Sequence, residues 1–329
     1  MRLVGGSSLV ETTPALSSRV TRAAPTPRIR ILGTTHNTTN GALAASWRRL
    51  GFPVEVVQPG EALDTVGRDD VVVSRLDVEP GLDGVEPGLL EVLLLERRGI
   101  HVINSAAALL GVHDKLRTAR LLSLAGVPHP RTGLVTRQSP SPAIEFPLVV
   151  KPRFGSWGRE VYCCANEWAL AECLDAIART SWFKRHGAIA QELIPPCGHD
   201  LRVLIANGRV VGAAERVAAP GEWRTNVSLG GSLKPADLSD EAAELARTAA
   251  AAIDADFVGV DLLPGHGGYT VLELNGAVDF DDRYSLGGRD VFADVARALD
   301  LPPPHSRPIC HRGRNGAAPT ASPMREELP

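Results

Sequence analysis

This sequence has few cysteines, and their arrangement excludes two kinds of architecture. Five of its 329 residues are cysteines, at positions Cys163, Cys164, Cys173, Cys197 and Cys310. None of them lies in a Cys-x-x-Cys pair or at zinc-site spacing from a histidine. A disulfide framework and a structural zinc site are therefore not expected, and a reduced, cytoplasmic protein is predicted. Cys163 and Cys164 are expected to pack as small apolar residues on a strand.

Long apolar runs and a strong net charge are also missing. No stretch approaches the roughly 18 apolar residues of a membrane helix. The formal net charge is −3, so neither nucleic acid nor an anionic membrane is expected as a partner. With 44% hydrophobic and 22% charged residues, the chain has the composition of a globular protein, and its length predicts two or three packed lobes.

Three nucleotide-site motifs are absent from the sequence. There is no G-x-x-x-x-G-K-[ST] phosphate loop, and the first strand is followed by Gly33-Thr34-Thr35-His36, which lacks dinucleotide-site spacing. No His-Arg-Asp loop supplies a kinase base. A Walker-type NTPase, a dinucleotide enzyme and a protein or sugar kinase are therefore disfavoured.

Composition and periodicity divide the chain into four parts. Residues 1–27 and 303–329 lack apolar periodicity and are predicted to be a disordered leader and tail. Residues 28–112 alternate short apolar strands (29–32, 54–57, 70–74 and 100–104) with helices (41–50 and 88–97). This alternation predicts a parallel sheet covered by helices.

From residue 113 onward the pattern changes. A helix is predicted over 113–125, and then strands follow closely at 147–152, 160–164, 187–192, 200–206 and 209–215, with a helix at 167–179. Asn207-Gly208 marks a hairpin, so these strands are expected to form one antiparallel sheet. A long helix after Asp240 and strands at 257–262 and 269–274 complete the pattern.

A lysine at the end of a strand precedes a glycine-containing loop. Lys151 closes the strand over 147–152, and Gly155-Ser156-Trp157-Gly158 follows. The lysine would place one cation, and the glycines would let backbone N–H groups approach phosphate oxygens. A purely structural hairpin turn would have the same appearance.

Oxygen donors end two later strands. Asp261 closes one, and Glu273 and Asn275 lie two residues apart on the next, so they share a face. Three oxygen donors without histidine or cysteine suit Mg²⁺. A solvated acidic sheet edge is the alternative, but the apolar neighbours make burial of these carboxylates costly unless a cation compensates.

A basic series accompanies these groups: Lys115, Arg202, Arg216 and Arg224. Taken singly, each is explained by an ordinary surface charge. Together with Lys151 they could neutralise a triphosphate and a carboxylate, as phosphoryl transfer requires.

The order of these motifs over residues 28–302 resembles the RimK-like branch of the ATP-grasp superfamily. The segments that carry the resemblance are Asp114-Lys115, Pro128 to Thr132, Val149-Val150-Lys151-Pro152, Gln191-Glu192-Leu193-Ile194, Asp200-Leu201-Arg202, Thr225-Asn226 and Glu273-Leu274-Asn275. The resemblance implies an α/β ATP-grasp fold. It would comprise an N-terminal parallel lobe (28–112) and an ATP-grasp domain (113–302), with ATP held between a central lobe (about 113–190) and an antiparallel C-terminal lobe (about 191–302).

The resemblance also implies ligand roles. Lys115 and Lys151 would contact ATP phosphates under a mobile cover formed by Gly155, Ser156, Trp157 and Gly158. The residues expected at the adenine and ribose are Gln191, Glu192, Leu193, Ile194 and Asp200. Asp261, Glu273 and Asn275 would hold two Mg²⁺ ions, for which Mn²⁺ could substitute. Arg202, Arg216 and Asn226 would stabilise the transferring phosphoryl group, and the expected substrate residues are Arg224, Thr225, Asn226, Gly276 and Asp279.

The implied activity is ATP-dependent joining of a carboxylate to an amine through an acyl phosphate. Gly155 to Arg159 and Glu222 to Asn226 are most similar to LysX-type ligases, which attach an amino acid to a small acidic carrier protein. The segment Asn275-Gly276-Ala277-Val278-Asp279-Phe280 departs from that pattern, so the acceptor could be a protein, a peptide or a small molecule. A dimer or tetramer is implied by the resemblance.

Three alternatives stay open. A RimK-type glutamate ligase and an amide ligase of a specialised-metabolite pathway share the chemistry. A nucleotide-binding regulatory protein without turnover is the alternative from another class, and the intact set Asp261, Glu273 and Asn275 argues against it.

Overall fold

The computed structural model describes residues 27–34, 37–265 and 267–302. Apart from residue 27, the predicted leader and tail lie outside the described residues. Among the described residues, no helix is long and apolar enough to cross a bilayer.

The N-terminal lobe is a parallel sheet, as predicted. Its strands have the order β2-β1-β3-β4, and their ranges are β1 Ile29–Leu32, β2 Val54–Val57, β3 Val71–Ser74 and β4 His101–Ile103. The helices of this lobe are α1 Thr38–Arg49, α2 Ala62–Thr65 and α3 Leu89–Arg97. All four residues of β1 are buried, which accounts for its uninterrupted apolar character.

The helix predicted from residue 113 is instead the second of two. α4 Ala106–His113 ends at Asp114, and α5 Lys115–Leu124 begins after it. The Asp114 carboxylate accepts hydrogen bonds from the backbone N–H groups of Leu116 and Arg117, so it caps α5. Arg153 also donates two hydrogen bonds to Asp114, at 2.7 and 2.6 Å. The boundary therefore places Lys115 in the first turn of a new helix.

The remaining strands form two antiparallel sheets, and the prediction of a single one was wrong. The central sheet has the order β5-β8-β6-β7 and the C-terminal sheet β11-β10-β9-β12-β13. The central elements are β5 Thr132–Val135, β6 Leu148–Pro152, β7 Tyr162–Cys164, α6 Glu167–Ile177, α7 Ser181–His186 and β8 Ala188–Glu192. The C-terminal elements are β9 His199–Ala206, β10 Arg209–Val217, β11 Ser232–Pro235, α8 Asp240–Ile253, β12 Phe257–Gly265, β13 Gly268–Asn275 and α9 Val291–Ala298.

The reason for this division is the path of the chain after β8. Residues 193–198 form no strand and carry the chain from β8 in one sheet to β9 in the other. Hairpin signals identify neighbouring strands, but they do not show where a chain leaves one sheet for another.

Four buried clusters hold the elements together, one of them inside the N-terminal lobe around Leu32 and Leu95. The central lobe packs around residues such as Leu148 and Trp182, and α8 covers the C-terminal sheet. The last joins β1 and α1 to β12 and α9, because Trp47, Phe257 and Phe292 belong to one apolar cluster. The N-terminal lobe therefore packs against the C-terminal sheet through this cluster.

Alternation along β7 corrects one expectation about the cysteines. Cys164 is buried but Cys163 is exposed. Neighbouring strand residues point to opposite faces, so only one of this adjacent pair can pack into the core.

Candidate active site

Two cavities meet beside the C-terminal sheet. The first lies between the central and C-terminal sheets. The second, the roomier of the two, lies between the C-terminal sheet and the N-terminal lobe. Residues that line both are Ser156, Trp157, Arg216, Asn226 and Glu273. Two ligands could therefore meet at these side chains.

Apolar side chains form one part of the first cavity. Val149 comes from the central sheet, and Leu263 and Leu272 come from β12 and β13. The residues expected at the adenine also line this cavity: Gln191, Glu192, Leu193 and Ile194. Their contact with a nucleotide stays a prediction. The Glu192 carboxylate accepts a 3.2 Å hydrogen bond from Arg131. Its side chain is therefore turned to a protein partner, and its backbone N–H donates to the carbonyl of the same Arg131 at 2.9 Å.

Sequence reasoning missed Val149, Leu263 and Leu272. Val149 carried a usable signal, because it precedes Lys151 by two residues and so shares its face of β6. Leu272 carried no such signal. Asp261 pairs with Glu273 and the next residue, Leu262, pairs with Val271, so Leu272 is skipped between two paired positions. Leu272 is thus the extra residue of a β-bulge, and a bulge re-aims side chains. Both Leu272 and its neighbour Glu273 consequently line the cavity.

Two lysines lie close to Glu273. Lys115 Nζ is 3.2 Å from a Glu273 carboxylate oxygen and donates a 2.6 Å hydrogen bond to the carbonyl of Gly155. Lys151 is buried, and burial is the main reason that its pKa falls to about 8. Lys115 lowers it further, whereas Glu273 and Asp261 act in the opposite direction. The first cavity thus holds positive charge at a fixed place.

The three predicted metal ligands lie together. Asp261 and Glu273 face each other across β12 and β13, and Asn275 pairs with Gly259 on the same strands. Burial alone would raise the pKa of Asp261, but Arg202 and Arg216 overcome this effect and lower it to about 2. The pKa of Glu273 is also lowered, since Lys115 and Lys151 outweigh its burial. Both carboxylates are therefore ionised near neutral pH.

This donor set fits Mg²⁺ that is shared with phosphate groups. Two ionised carboxylates and an amide oxygen are ligands that Mg²⁺ prefers, and it keeps further positions for phosphate or water. Within the described part of the chain, no three His, Cys, Asp or Glu side chains gather to hold a metal by themselves. A cation here would therefore need the oxygens of Asn275 and of a nucleotide.

Arginine–aspartate ion pairs join strands of the C-terminal sheet beside the cavities. Arg202 donates to both oxygens of Asp261 at 2.7 and 2.8 Å. Arg216 donates to both oxygens of Asp200 at 2.7 and 2.5 Å, and to Asp261 at 2.8 Å. Asn275 Nδ2 lies 3.4 Å from the same Asp261 oxygen. The positive charges of Arg202 and Arg216 and the negative charges of Asp200 and Asp261 therefore largely neutralise one another.

The glycine-containing loop over 155–159 touches the segment 222–228. Arg224 donates to the carbonyl of Gly158 at 2.9 Å, and Ser228 donates to that of Trp157 at 3.0 Å. Arg224 is also paired with Glu222 at 2.7 Å. Arg224 thus contacts the loop, and its role in binding substrate stays a prediction.

Two predicted substrate residues have different surroundings. Asp279 lines the second cavity and accepts a 2.7 Å hydrogen bond from Thr39 of α1. Gly276 packs against α4, where an added Cβ would lie 2.8 Å from a Val112 methyl group. Close packing therefore accounts for the glycine without any contact to a substrate.

The pattern of the RimK-like ATP-grasp domain matches residues 112–299, more than half of the chain. This chain belongs to the RimK-like ATP-grasp family. A probable alpha-L-glutamate ligase from Aeromonas salmonicida is 33% identical over 205 residues, which span 60% of this chain and 67% of the relative. Another from Haemophilus influenzae (strain Rd) is 28% identical over 237 residues, spanning 70% and 76%.

Solved structures share the fold. The RimK domain ATP-grasp protein of Sphaerobacter thermophilus has 21% identity and a TM-score of 0.60, covering 83% of this chain and 99% of that one. The ligase PsnB, solved with a phosphomimetic variant of its minimal precursor, Mg and ADP, has 21% identity and a TM-score of 0.61, with 83% and 98% covered. The ATP-grasp fold and its α/β class are confirmed. The chain is an ATP-grasp carboxylate–amine ligase, as predicted.

Proposed function

We propose that this ligase activates its carboxylate substrate as an acyl phosphate and then transfers the acyl group to an amine, releasing ADP and phosphate. The observation that carries the proposal is the meeting of two cavities at Arg216, Asn226 and Glu273. One cavity has the apolar and cationic lining that a nucleotide needs. The other is large enough for an acceptor and reaches the same charged groups.

In the first step, a carboxylate oxygen attacks the γ-phosphorus of ATP, and the bond to the β,γ-bridging oxygen breaks. Lys115 and Lys151 hold the phosphates, and Arg202 and Arg216 stabilise the charge on the transferring group. Mg²⁺ would be held by Asp261, Glu273 and Asn275, as two ions that Mn²⁺ could replace, and when bound it supplies charge neutralisation.

In the second step, the amine nitrogen attacks the acyl carbon, phosphate leaves with the bonding electrons, and an amide forms. Water must be kept from the acyl phosphate until then. Trp157 is suited to this task, because its side chain lines both cavities and remains 41% exposed.

Two carboxylates that line the second cavity are suitable partners for the amine. Asp77 and Asp279 lie there, and either carboxylate could attract an ammonium group. Burial is the main reason that the pKa of Asp77 rises to about 6, and Asp279 and Glu86 raise it further against the effect of Arg75. A carboxylate with such a pKa can also accept the proton that the amine must lose.

For the substrates, we propose an amino acid as the amine and the carboxylate of a peptide or small carrier protein as the acceptor. The similarity to LysX-type ligases in the segments 155–159 and 222–226 favours this choice. The exposed Asp279 and Arg283 at the second cavity indicate access for a large acceptor.

A RimK-type glutamate ligase is the second candidate, and the names of the curated relatives favour it. Glutamate as the amine substrate would bring two carboxylates into the second cavity. That cavity is already lined by Asp77, Asp279 and Asp281, and its Arg283 is paired with Asp281 at 2.5 Å. Arg202 and Arg216 line the same cavity, so its charges admit glutamate as well as other amino acids, and competition between amines decides.

The experiment is a screen of acid and amine pairs with ATP and Mg²⁺, with hydroxylamine as an acyl-phosphate trap. We expect a hydroxamate and ADP with the true acid. AMP and pyrophosphate would show adenylation and refute the acyl-phosphate step. Competition between glutamate and α-aminoadipate, the amine that LysX-type ligases use, separates the two candidates.

A further inference from the structure

The connection between β3 and α3 contains a hairpin that packs into a different lobe from its own. Val78 and Val85 form an antiparallel bridge, which defines the hairpin 78–85. Val78 and Leu82 are buried, and both belong to the apolar cluster of the central lobe together with Leu148. A segment of the N-terminal lobe is therefore part of the core of the central lobe.

The backbone conformation of Leu82 indicates that this contact matters. Its φ of 60° lies in the left-handed region, which a bulky side chain seldom adopts. A glycine would adopt this conformation without strain, and a strained residue persists only where the surrounding structure holds it in place. Burial of the Leu82 side chain in the central lobe supplies the reason for a leucine at this position.

At the other end of the hairpin, Asp77 lines the second cavity. The backbone N–H of Asp77 donates to a Glu86 carboxylate oxygen at 2.9 Å, and that of Glu86 donates to the Asp77 carbonyl at 2.7 Å. The backbone N–H of Val78 donates to Asp77 Oδ1 at 2.6 Å. The first residue of the hairpin thus orients the carboxylate at the second cavity.

The hairpin shares a cluster with the face of β6 that points away from the first cavity. On this strand, Val149 and Lys151 line the first cavity, whereas Leu148 and Val150 point to the opposite face. Leu148 and Val150 belong to the same cluster as Leu82. The position of the hairpin is therefore tied to the strand that carries a predicted phosphate-binding lysine.

A second contact connects the hairpin to the glycine-containing loop. His186 Nε2 donates a 2.8 Å hydrogen bond to the Asp83 carbonyl. The His186 ring also packs edge-on against Phe154, with the ring centres 5.1 Å apart, and Phe154 directly precedes the loop 155–159. One histidine of the central lobe therefore contacts both the hairpin and the residue before this loop.

We propose that the hairpin 78–85 is a positioning element that ties Asp77 to the central lobe, so that nucleotide binding completes the site for the amine. The proposal rests on the function proposed above, because it takes the second cavity as the amine site. A nucleotide between the central and C-terminal sheets would fix the central lobe, and the hairpin would then fix Asp77. By linkage, the nucleotide and the amine strengthen the binding of each other by the same factor.

Hydrogen exchange in the wild type tests the hairpin without turnover. Amide exchange is measured by mass spectrometry with and without ADP and Mg²⁺, and protection of residues 155–159 reports that the nucleotide is bound. We expect residues 77–86 to exchange about threefold or more slowly with ADP, because local opening becomes rarer, while α3 in the same lobe stays unchanged. Unchanged exchange of residues 77–86, or an equal slowing of α3, would overturn the proposal.

Variants at Leu82 provide the second test. The affinities for glutamate and for α-aminoadipate are measured by calorimetry with and without saturating ADP and Mg²⁺. We expect the nucleotide to raise the affinity of the wild type for one of these amines about fivefold or more. Leu82→Ala should remove this increase, and Leu82→Met should restore it because it conserves the side-chain volume.

Leu90→Ala is the matched control, since Leu90 is 61% exposed on α3 and lies outside both cavities. It should keep the full increase. An increase that persists in Leu82→Ala would overturn the proposal. If the wild type binds neither amino acid, the proposed substrates are wrong, and hydrogen exchange then decides on the hairpin. The exchange experiment uses the wild type alone, so it also decides if Leu82→Ala does not fold.

Discussion

The two cavities of this ligase are built in opposite ways. The nucleotide cavity is bordered by charges that are already paired, such as Arg216 with Asp200 and Lys115 with Glu273. The acceptor cavity is bordered by side chains from distant parts of the chain, including Thr39 and Asp279, which meet across 240 residues. We infer that the C-terminal sheet positions the groups for phosphoryl transfer. The choice of substrate depends instead on how the N-terminal lobe packs against the segment 277–284.

Glu273→Ala tests the nucleotide side and should have the largest effect. Removal of a carboxylate that neutralises the charge developing around the phosphoryl group should lower kcat by about 1000-fold or more. The measurement is ADP release at saturating ATP and Mg²⁺, with thermal unfolding as the check that the fold persists. Unchanged turnover would remove Glu273 from the proposed metal site.

Asp279→Asn tests the acceptor side. If this carboxylate attracts the ammonium group, KM for the amine should rise about tenfold, the value of a lost charged hydrogen bond, while KM for ATP stays constant. Asp282→Asn is the matched control, since Asp282 is exposed and lies outside the second cavity. An equal rise in both variants would point to general electrostatics and not to a specific contact.

A pH series tests the charge of Lys151. Its pKa of about 8 lies below the usual value for lysine, so the ammonium form is lost as the pH rises from 7 to 9. Only that form attracts phosphate, so KM for ATP should increase by about tenfold over this range. Lys151→Arg should flatten the profile, because a guanidinium keeps its charge. A flat wild-type profile would show that Lys151 stays charged or does not bind phosphate.

Trp157→Ala tests the boundary between the cavities and should have the smallest effect. Without the indole, water should reach the acyl phosphate, so the ratio of phosphate released to amide formed should rise to about three with both substrates saturating. Trp168→Ala is the control, because Trp168 is 70% exposed on α6 and lines neither cavity. If the ratio stays near one, Trp157 has only a packing role against Arg159, whose guanidinium carbon lies 5.1 Å from its ring centre.

Local patterns predicted much of this architecture. The period-two spacing of Glu273 and Asn275 correctly placed them beside Asp261, and the alternation of strands and helices correctly predicted the parallel N-terminal sheet. These features depend on neighbours in the sequence or on one strand pair. The ligand roles of the predicted site residues stay predictions.

Features that depend on distant contacts could not be predicted. The bulge that turns Leu272 into the cavity depends on the register of β12 against β13. The division into two sheets depends on where residues 193–198 carry the chain. The partners of Asp200 come from β10 and from Thr225, 16 and 25 residues away. Such contacts are set by tertiary packing, which a short window does not record.

The bond between Trp47 of α1 and the Phe292 carbonyl, 2.9 Å long, has a consequence for exchanging parts between related enzymes. Arg75, which is buried, likewise donates to the carbonyl of Val278 at 2.8 Å. Because the N-terminal lobe is docked through these buried bonds, a chimaera that replaces residues 28–112 alone would leave a mismatched surface at Val278 and Phe292. A transplanted lobe should therefore bring the donor's counterparts of residues 277–299 with it, so that selectivity and docking are inherited as one unit.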